Sequence, residues 1–446
     1  MPKSVAVHLV FPSFQSSTYH GTTSIVYQTV EEGQPQEGHQ QPSTLLFHAD
    51  QSVTITNPKV LLGKKMVKIL NISMDLDMVG RMEEDDSMVS SGTLRGVRRI
   101  HLAESSSFLP GSMVEVTMDF CAPLRRTMFG CYRDATATII TTHFEVSHAR
   151  DAMPCVDDPH VRVFWTMTIT PPPNALITLS NQEETRSRSR PGVVSFQTTR
   201  IPLPAYVIAW FVSSQPPHIC EGRLQRAGES SSLGLGVKII GPSKSVPAAR
   251  FPYDFALSVL QIAVTQLSEY FGTPVPGVGR CLQVVVVPDT PIAGMENHGL
   301  IFINAKLGLP TVGSCRKMNP SFDALAKILV HEVAHHWIGN GVGFSFGTKE
   351  GICLVLEEVF GEVVLGRPLC TKFLALHGDA PITREAVIDG NELTGVTYQQ
   401  SQRWFQSLVA RHGWTKIQAA LRLCVQEENV GIVVSDDALI QLLLDL

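Results

Sequence analysis

The sequence has no run of roughly 18 apolar residues, and so it contains no candidate transmembrane helix. Charged residues make up only 17% of the chain and the formal net charge is -5, so a basic surface for nucleic acid or anionic lipid is not expected. The nine cysteines form no C-x-x-C pair, which favours reduced, packed thiols over a disulfide framework. The N-terminal segment has only a short apolar stretch and no small-residue cleavage site. These absences predict a cytoplasmic protein with neither nucleic-acid nor membrane partners.

What is present is enough apolar material for two domains, since 446 residues include 44% hydrophobic side chains. Residues 1–215 carry short alternating or β-branched runs separated by turn residues, the pattern of a β-sandwich or saddle. From residue 216 helical spacing dominates, with buried strands at 281–288 and at 299–304, the second expected at a sheet edge. We therefore predict an α+β multidomain protein, with a β-sandwich or saddle domain over 1–215 and an α/β, mainly helical domain over 216–446. Helices are predicted over 252–271, from Pro320, from Lys349, over about 401–426 and over 436–446.

His331, Glu332 and His335 form an H-E-x-x-H motif inside a predicted helix. Four residues apart, the two imidazoles lie on one helix face, and that spacing binds one Zn²⁺ at about 2.0–2.1 Å. Glu332 lies next to the first ligand and can act as general base on a water at the metal. The alternative is a pair of histidines that simply pack on a helix. The apolar run before the motif favours a buried helix, in which a polar cluster needs a partner such as a metal ion.

Glu350 is the predicted third zinc ligand, because a carboxylate from a second packed helix completes a His₂Glu site and leaves one position for water. Glu357 lies two turns further along the same helix and is suited to orient a ligand imidazole. A solvated helix glutamate is the alternative for Glu357. The predicted cofactor is one Zn²⁺ per chain.

Several motifs together resemble the gluzincin zinc aminopeptidase family, which includes aminopeptidase N and leukotriene hydrolase. The two most specific matches are the family's G-x-M-E-N motif at 293–297 and the extension of H-E-x-x-H into H-x-W-x-G-N through Asn340. Three further segments resemble the family's N-E-G-F-A at the third ligand, its P-C-x-D-E-P segment and the stretch with its catalytic tyrosine: 349–353, 143–159 and 396–400. The resemblance runs from about residue 120 to the end of the chain.

The resemblance implies a thermolysin-like catalytic domain and an aminopeptidase that removes N-terminal residues from peptides by means of a metal-activated water. It assigns catalysis to Glu332 and Tyr398, whose phenol hydroxyl is suited to a developing oxyanion. It assigns substrate binding to Glu145, Ala293, Gly294, Met295, Glu296 and Asn297, and the metal to His331, His335 and Glu350. The carboxylates of Glu145 and Glu296 would bind the free α-ammonium of the peptide. The alternatives are a packed tyrosine at a helix start, an exposed strand glutamate and an exposed loop glutamate.

The chain departs from the family pattern at several places. The family's usual spacing between the second histidine and the third ligand would put that ligand at Leu354, whereas the glutamate stands four residues earlier, at Glu350. The connection between the two helices is therefore shorter than in the family, and its glycines at 341, 343 and 347 are expected to make it flexible. The chain stops at Leu446, which implies that the family's C-terminal helical domain is lacking and that the cavity is either more open or covered by a second copy or a partner protein. These departures leave open a catalytically inactive, aminopeptidase-like protein that acts as a peptide- or protein-binding scaffold.

Overall fold

The computed structural model describes residues 1–29, 44–74, 96–103, 109–185, 191–224, 234–242, 251–288, 290–307, 320–367 and 395–446. The chain divides into two compact units, Met1–Ser214 and Gln215–Leu446. The first unit is rich in β-sheet, and the second combines one sheet with helices. Over the described ranges, no helix is both long enough and apolar enough to cross a membrane.

The strands of the N-terminal unit form three sheets. In chain order they are β1 Pro2–Val10, β2 Thr18–Gln28, β3 Thr44–His48, β4 Thr54–Leu62, β5 Lys65–Val67, β6 Ile69–Met74, β7 Val97–Leu102, β8 Met113–Pro123, β9 Gly130–Arg133, β10 Ile139–His143, β11 Phe164–Thr170, β12 Ile177–Ser180, β13 Val194–Ser195 and β14 Trp210–Ser213. The largest sheet has the order β13-β11-β1-β2-β8-β4-β5, and the smaller two have the orders β12-β14-β10-β9 and β3-β7-β6. Strand β1 pairs parallel with β11, and the other neighbours in the largest sheet are antiparallel.

Alternating side chains explain these strands, because alternate positions face opposite sides of a sheet. Along β8, the buried positions are Val114, Val116, Met118, Phe120 and Ala122, and every second residue between them is more accessible. Strand β2 did not stand out in the sequence because glycine, threonine and serine break its apolar pattern. Glycine is needed at position 21, since a Cβ there would lie only 2.7 Å from the carbonyl oxygen of His8 on the neighbouring strand.

A buried polar cluster in the N-terminal unit includes His48, at the end of β3. The backbone N–H of Asp157 donates to Nδ1 of His48 at 3.1 Å, and Nε of the buried Arg150 contacts the Asp157 carboxylate at 2.8 Å. Burial and the positive charge of Arg150 lower the pKa of His48 to about 3. His48 is therefore a neutral acceptor in the folded protein.

The C-terminal unit has one five-stranded sheet and six described helices. Its elements are β15 Pro217–Arg223, β16 Gly236–Pro242, α1 Tyr253–Phe271, β17 Cys281–Val287, β18 Gly294–Met295, β19 Leu300–Asn304, α2 Pro320–Ala334, α3 Phe346–Leu365, α4 Gly395–His412, α5 Trp414–Cys424 and α6 Asp436–Asp445. The sheet order is β15-β16-β17-β19-β18. The expectation that β19 lies at an edge is wrong, because the short strand β18 pairs with its outer side.

The predicted helices are present, but several of their limits differ. The predicted helix over 252–271 is confirmed, and it ends at Gly272, whose φ of 75° is the left-handed conformation of a helix C-terminus. Helix α3 begins at Phe346 rather than Lys349, because the Ser345 side chain caps it by accepting from the Thr348 N–H. The helix predicted over 401–426 is two helices, α4 and α5, separated at Gly413, where φ is 81°.

Helix α2 lies in the core of the C-terminal unit, in contact with α1 and α3. Its inward side chains Leu325, Leu329, Val330 and Val333 are fully buried. Just past its end, Trp337 stacks on Phe271 of α1 with ring centroids 5.0 Å apart. The helix therefore carries its polar motif into an apolar interior.

The connection from α2 to α3 is not the flexible loop that its glycines suggested. The Gly341 N–H donates to the His336 oxygen at 2.9 Å, and the Gly343 N–H donates to the Ile432 oxygen at 2.8 Å. A Cβ at position 341 would lie 2.9 Å from that same His336 oxygen, so this glycine permits close packing. Gly347 lies within α3.

Candidate metal centre

The two histidines of the H-E-x-x-H motif face each other at the C-terminal end of α2. His331 is 7% exposed and His335 is 1% exposed, and their Nε2 atoms are 3.0 Å apart. The His335 N–H still donates to the His331 oxygen at 3.2 Å, so the helical turn that joins them is intact. The one-turn spacing of the motif thus places both imidazoles on one side of the helix.

Glu350, in the second turn of α3, reaches both imidazoles. Its Oε2 lies 3.3 Å from Nε2 of His331, and its Oε1 lies 3.6 Å from Nε2 of His335. One donor atom from each of the three residues falls within 4.8 Å of the others. The shortened spacing therefore still brings a carboxylate from a second helix to the histidine pair.

The three donors fit a zinc ion by their spacing and their chemistry. Bonds of about 2.0–2.1 Å in a tetrahedral site place neighbouring ligand atoms about 3.3 Å apart. The two Nε2 atoms are 3.0 Å apart, and separate oxygens of Glu350 lie 3.3 Å from Nε2 of His331 and 3.6 Å from Nε2 of His335, all around that value. Two imidazoles and one carboxylate are also a donor set that Zn²⁺ takes in catalytic sites.

A second layer of contacts holds the imidazoles in place. Glu357 is 6% exposed, so the solvated alternative for it is wrong, and its Oε2 lies 3.0 Å from Nδ1 of His331. Nζ of Lys327 lies 3.3 Å from the other carboxylate oxygen of Glu357. Nδ1 of His335 lies 3.0 Å from the backbone oxygen of Ile338. Contacts of this kind fix the ring orientation of a metal ligand.

Burial and neighbouring charges act against each other on the pKa values of two of the donors. Burial alone would lower the pKa of His331, but the carboxylates of Glu350 and Glu357 raise it well above its usual value. Burial alone would raise the pKa of Glu350, but the charge of Lys349 and the two histidines lower it well below its usual value. Glu350 is accordingly an ionised carboxylate, the form that a metal ion binds.

Glu332 lies against the short strand β18. A Cβ added at Gly294 would overlap the Glu332 carboxylate and would lie 2.8 Å from both Cδ of Glu332 and Cγ2 of Ile328. Only glycine at position 294 therefore lets β18 approach the residue next to the first histidine. The G-x-M-E-N segment and the H-E-x-x-H helix are in direct contact.

The rest of the G-x-M-E-N segment is tied to its surroundings by backbone contacts. The Ala293 oxygen accepts from the Asn304 N–H at 2.9 Å, and Met295 is buried and pairs with Phe302. The Asn297 oxygen accepts from the Leu300 N–H at 3.0 Å, and the Asn297 side chain is buried. The segment is a fixed part of the sheet edge.

Glu296 is 3% exposed, so the exposed-loop alternative for it is wrong. Its backbone oxygen accepts from Nδ2 of Asn340 at 2.7 Å, which links it to the end of the extended zinc motif. Its carboxylate oxygen Oε1 accepts from Nζ of Lys349 at 2.7 Å. Burial alone would raise the pKa of Glu296, but the charge of Lys349 lowers it below its usual value.

Tyr398 and Glu145 lie outside α2, α3 and β18. Tyr398 is in the first turn of α4, with its ring edge-on to Phe346 at a centroid distance of 5.9 Å. Glu145 follows β10 in the N-terminal unit and is 4% exposed, so the alternative of an exposed strand glutamate is wrong.

Sequence reasoning gave no role to two residues that contact the cluster. Lys349 lies beside the third ligand, and Sγ of Cys353 lies 3.3 Å from Nδ1 of His335. A signal for Lys349 was available, because lysine stands where the N-E-G-F-A motif has asparagine. Cys353 had no comparable signal, since a buried cysteine is ordinary in a helix.

The chain matches two models of one protein family. The model described as the peptidase M1 N-terminal domain matches residues 40–207, and the model described as the peptidase family M1 domain matches residues 255–363. The chain belongs to the M1 peptidase family. The resemblance to the zinc aminopeptidases is thereby confirmed at the level of the family, and the sheet-rich first unit and helical second unit fit M1 domains.

The relatives of this M1 chain carry aminopeptidase names. Aminopeptidase N of Plutella xylostella is 24% identical over 359 residues, which are 76% of this chain and 36% of that protein. The puromycin-sensitive aminopeptidase of Caenorhabditis elegans is 26% identical over 55% of this chain and 26% of that protein. Aminopeptidase N of Lactobacillus delbrueckii subsp. lactis is 27% identical over 56% of this chain and 28% of that protein. The matches therefore span about a quarter to a third of each relative's length.

Proposed function

We propose that this M1 chain is a zinc-dependent aminopeptidase that hydrolyses the N-terminal peptide bond of peptides with a free N-terminus. The observation that carries the proposal is the buried triad of His331, His335 and Glu350, whose donor atoms are spaced for one zinc ion. In this proposal the catalytic domain over 216–446 is thermolysin-like and follows a β-sandwich or saddle domain over 1–215. A cytoplasmic location is part of the same proposal.

The reaction needs an activated nucleophile and a group that takes up its proton. A bound Zn²⁺ supplies a Lewis acid that acidifies water and polarises the peptide carbonyl. Glu332 takes the proton from the attacking water on its carboxylate and passes it to the leaving amine. Its contact with Gly294 supports this role, because the carboxylate then lies beside the strand that would align the peptide.

Strand β18 is suited to hold the peptide backbone. It is the last strand of the described five-stranded sheet, and it uses one side to pair with β19. An edge strand offers its other backbone groups to an extended peptide, which adds to the sheet as a further strand. Gly294 would supply those groups, while Ala293 and Met295 hold the strand to β19 and Asn297 fixes the turn that follows.

Two further roles complete the proposal. The Tyr398 hydroxyl would donate to the carbonyl oxygen as negative charge builds there. The Glu296 carboxylate, and Glu145 from the N-terminal domain, would bind the α-ammonium of the peptide. The buried, ionised state of Glu296 supports its role, since a carboxylate of low pKa is charged at neutral pH.

The proposal is tested by metal analysis together with hydrolysis of fluorogenic aminoacyl amides. We expect about one equivalent of zinc in the purified protein and hydrolysis that a chelator removes. Glu332→Gln should abolish hydrolysis and keep the zinc. A protein that lacks zinc and hydrolyses none of the amides after addition of zinc would refute the proposal.

A scaffold that binds peptides without hydrolysing them is the second candidate. It is favoured by one observation: Nζ of Lys349 lies 3.2 Å from Oε1 of Glu350, so an internal cation already compensates the third ligand. The same metal analysis decides between the two, since folded protein that binds a peptide while free of metal supports the scaffold.

A further inference from the structure

Lys349 is held at a fixed place in α3. Its backbone N–H donates to the Ser345 oxygen at 2.9 Å, in a helix start that the Ser345 side chain caps. The residue is only 4% exposed, so its ammonium does not extend into solvent. A buried lysine needs partners for its charge.

The partners of Lys349 are the carboxylates of the proposed site. Nζ of Lys349 donates to Oε1 of Glu296 at 2.7 Å and lies 3.2 Å from Oε1 of Glu350. It also lies 5.3 Å from the centre of the Phe346 ring, within range of a cation–π contact. These neighbours hold the ammonium in a buried position.

This ammonium has the chemistry of the group that Glu296 is proposed to bind. A substrate α-ammonium and the Lys349 ammonium are both primary, cationic and donors only. The contact at 2.7 Å satisfies one carboxylate oxygen of Glu296 from inside the protein. A second ammonium on that carboxylate would meet the like charge of Lys349 at close range, which disfavours it.

We propose that Lys349 is a specificity-determining residue whose ammonium occupies the Glu296 carboxylate and so lowers the preference of the site for a free over an acylated N-terminus. The inference rests on the proposed function, because it assumes that the peptide amine is directed to Glu296. It predicts a site that accepts peptides with a neutral, acylated N-terminus better than a site with an unoccupied Glu296 carboxylate would.

The test compares two zinc-binding probes that differ only at the amine, leucine hydroxamate and N-acetyl-leucine hydroxamate. Their dissociation constants are measured by calorimetry on the zinc-loaded full chain, so the readout does not depend on turnover. Lys349→Asn, which restores the residue of the family motif, should raise the preference for the free amine by about tenfold or more, the size of a charge-assisted contact. Lys349→Arg, which keeps the charge, should leave the ratio within about twofold of the wild type. Lys306→Asn, at an exposed position of the same unit, is the matched control and should not change the ratio.

A second measurement does not require that Lys349→Asn folds. Glu296→Gln in the wild-type background should change the ratio by less than about twofold, because the carboxylate is already occupied. A tenfold loss of free-amine preference in Glu296→Gln would overturn the inference, as would an unchanged ratio in folded Lys349→Asn. If the wild type holds no zinc and binds neither hydroxamate, the proposed function fails and the inference fails with it. If the wild type hydrolyses the aminoacyl amides but folded Lys349→Asn has the same ratio of hydroxamate dissociation constants as the wild type, the inference alone is refuted.

Discussion

The contact between Glu357 and His331 gives a graded prediction for zinc affinity. Oε2 of Glu357 lies 3.0 Å from Nδ1 of His331, and its other oxygen lies 3.3 Å from Nζ of Lys327. Glu357→Gln keeps an oxygen that can accept from the imidazole but loses the charge, whereas Glu357→Ala loses both. Removing such a partner of a metal-bound imidazole weakens metal binding by about 10–100-fold, or about 1.4–2.7 kcal/mol. We expect Glu357→Gln near the lower end of this range and Glu357→Ala near the upper end.

The assay is the zinc dissociation constant of each variant, measured by competition with a chromogenic chelator at fixed pH and ionic strength. The chain offers a matched control in Glu358, which also bonds to Lys327 but has no described contact with His331. Glu358→Gln should therefore bind zinc as the wild type does. The reasoning is refuted if Glu357→Ala binds zinc as tightly as the wild type, or if Glu358→Gln loses as much affinity as Glu357→Gln.

Three further predictions concern Glu350, Gly294 and His48. Glu350→Gln should release stoichiometric zinc on dialysis, and retention of the metal, measured by atomic absorption, would mean that another group is the third ligand. Gly294→Ala should lower kcat on aminoacyl amides by at least about tenfold with a smaller change in thermal stability, because the added methyl group overlaps Glu332; an unchanged kcat would contradict this. Since the unfolded chain binds a proton at His48 near pH 6.5 and the folded chain does so only near its pKa of about 3, the free energy of unfolding should fall as pH drops below 6.5. The loss from pH 7 to pH 5 should be about 2 kcal/mol larger than in His48→Asn, which does not titrate there, and parallel urea-unfolding curves against pH would disprove it.

The parts of the site that could be predicted are those with a local cause. His331 and His335 are one turn apart on a helix that is buried by its apolar residues. Their four-residue spacing therefore fixes the relative position of the two imidazoles. The strands with clear alternation, such as β8, follow from the same kind of local periodicity. Polar β2 and short β18 have no such pattern, and they are strands because neighbours in the sheet pair with them.

What could not be predicted depends on contacts between distant segments. The early start of α3 comes from Ser345, whose side chain caps the helix and also donates to the Asp436 carboxylate at 2.8 Å. The contact of Lys349 with Glu296 joins a helix start to a sheet edge across 53 residues of sequence. No propensity or periodicity of either segment contains that information.

The early start of α3 and the close contact of Gly341 with the His336 oxygen together explain how Glu350 reaches the two histidines despite the shorter spacing. If α3 began at Lys349, Glu350 would lie in its first turn, directly after the connection from α2. Because α3 begins at Phe346, and because Gly341 closes tightly on the His336 oxygen, the connection is short and Glu350 is already in a regular helix where it faces His331. The shorter spacing therefore does not keep the Glu350 carboxylate from reaching His331 and His335. Lys349 is buried in the same helix, 3.2 Å from Oε1 of Glu350, so the change in residue type lies directly beside the third donor.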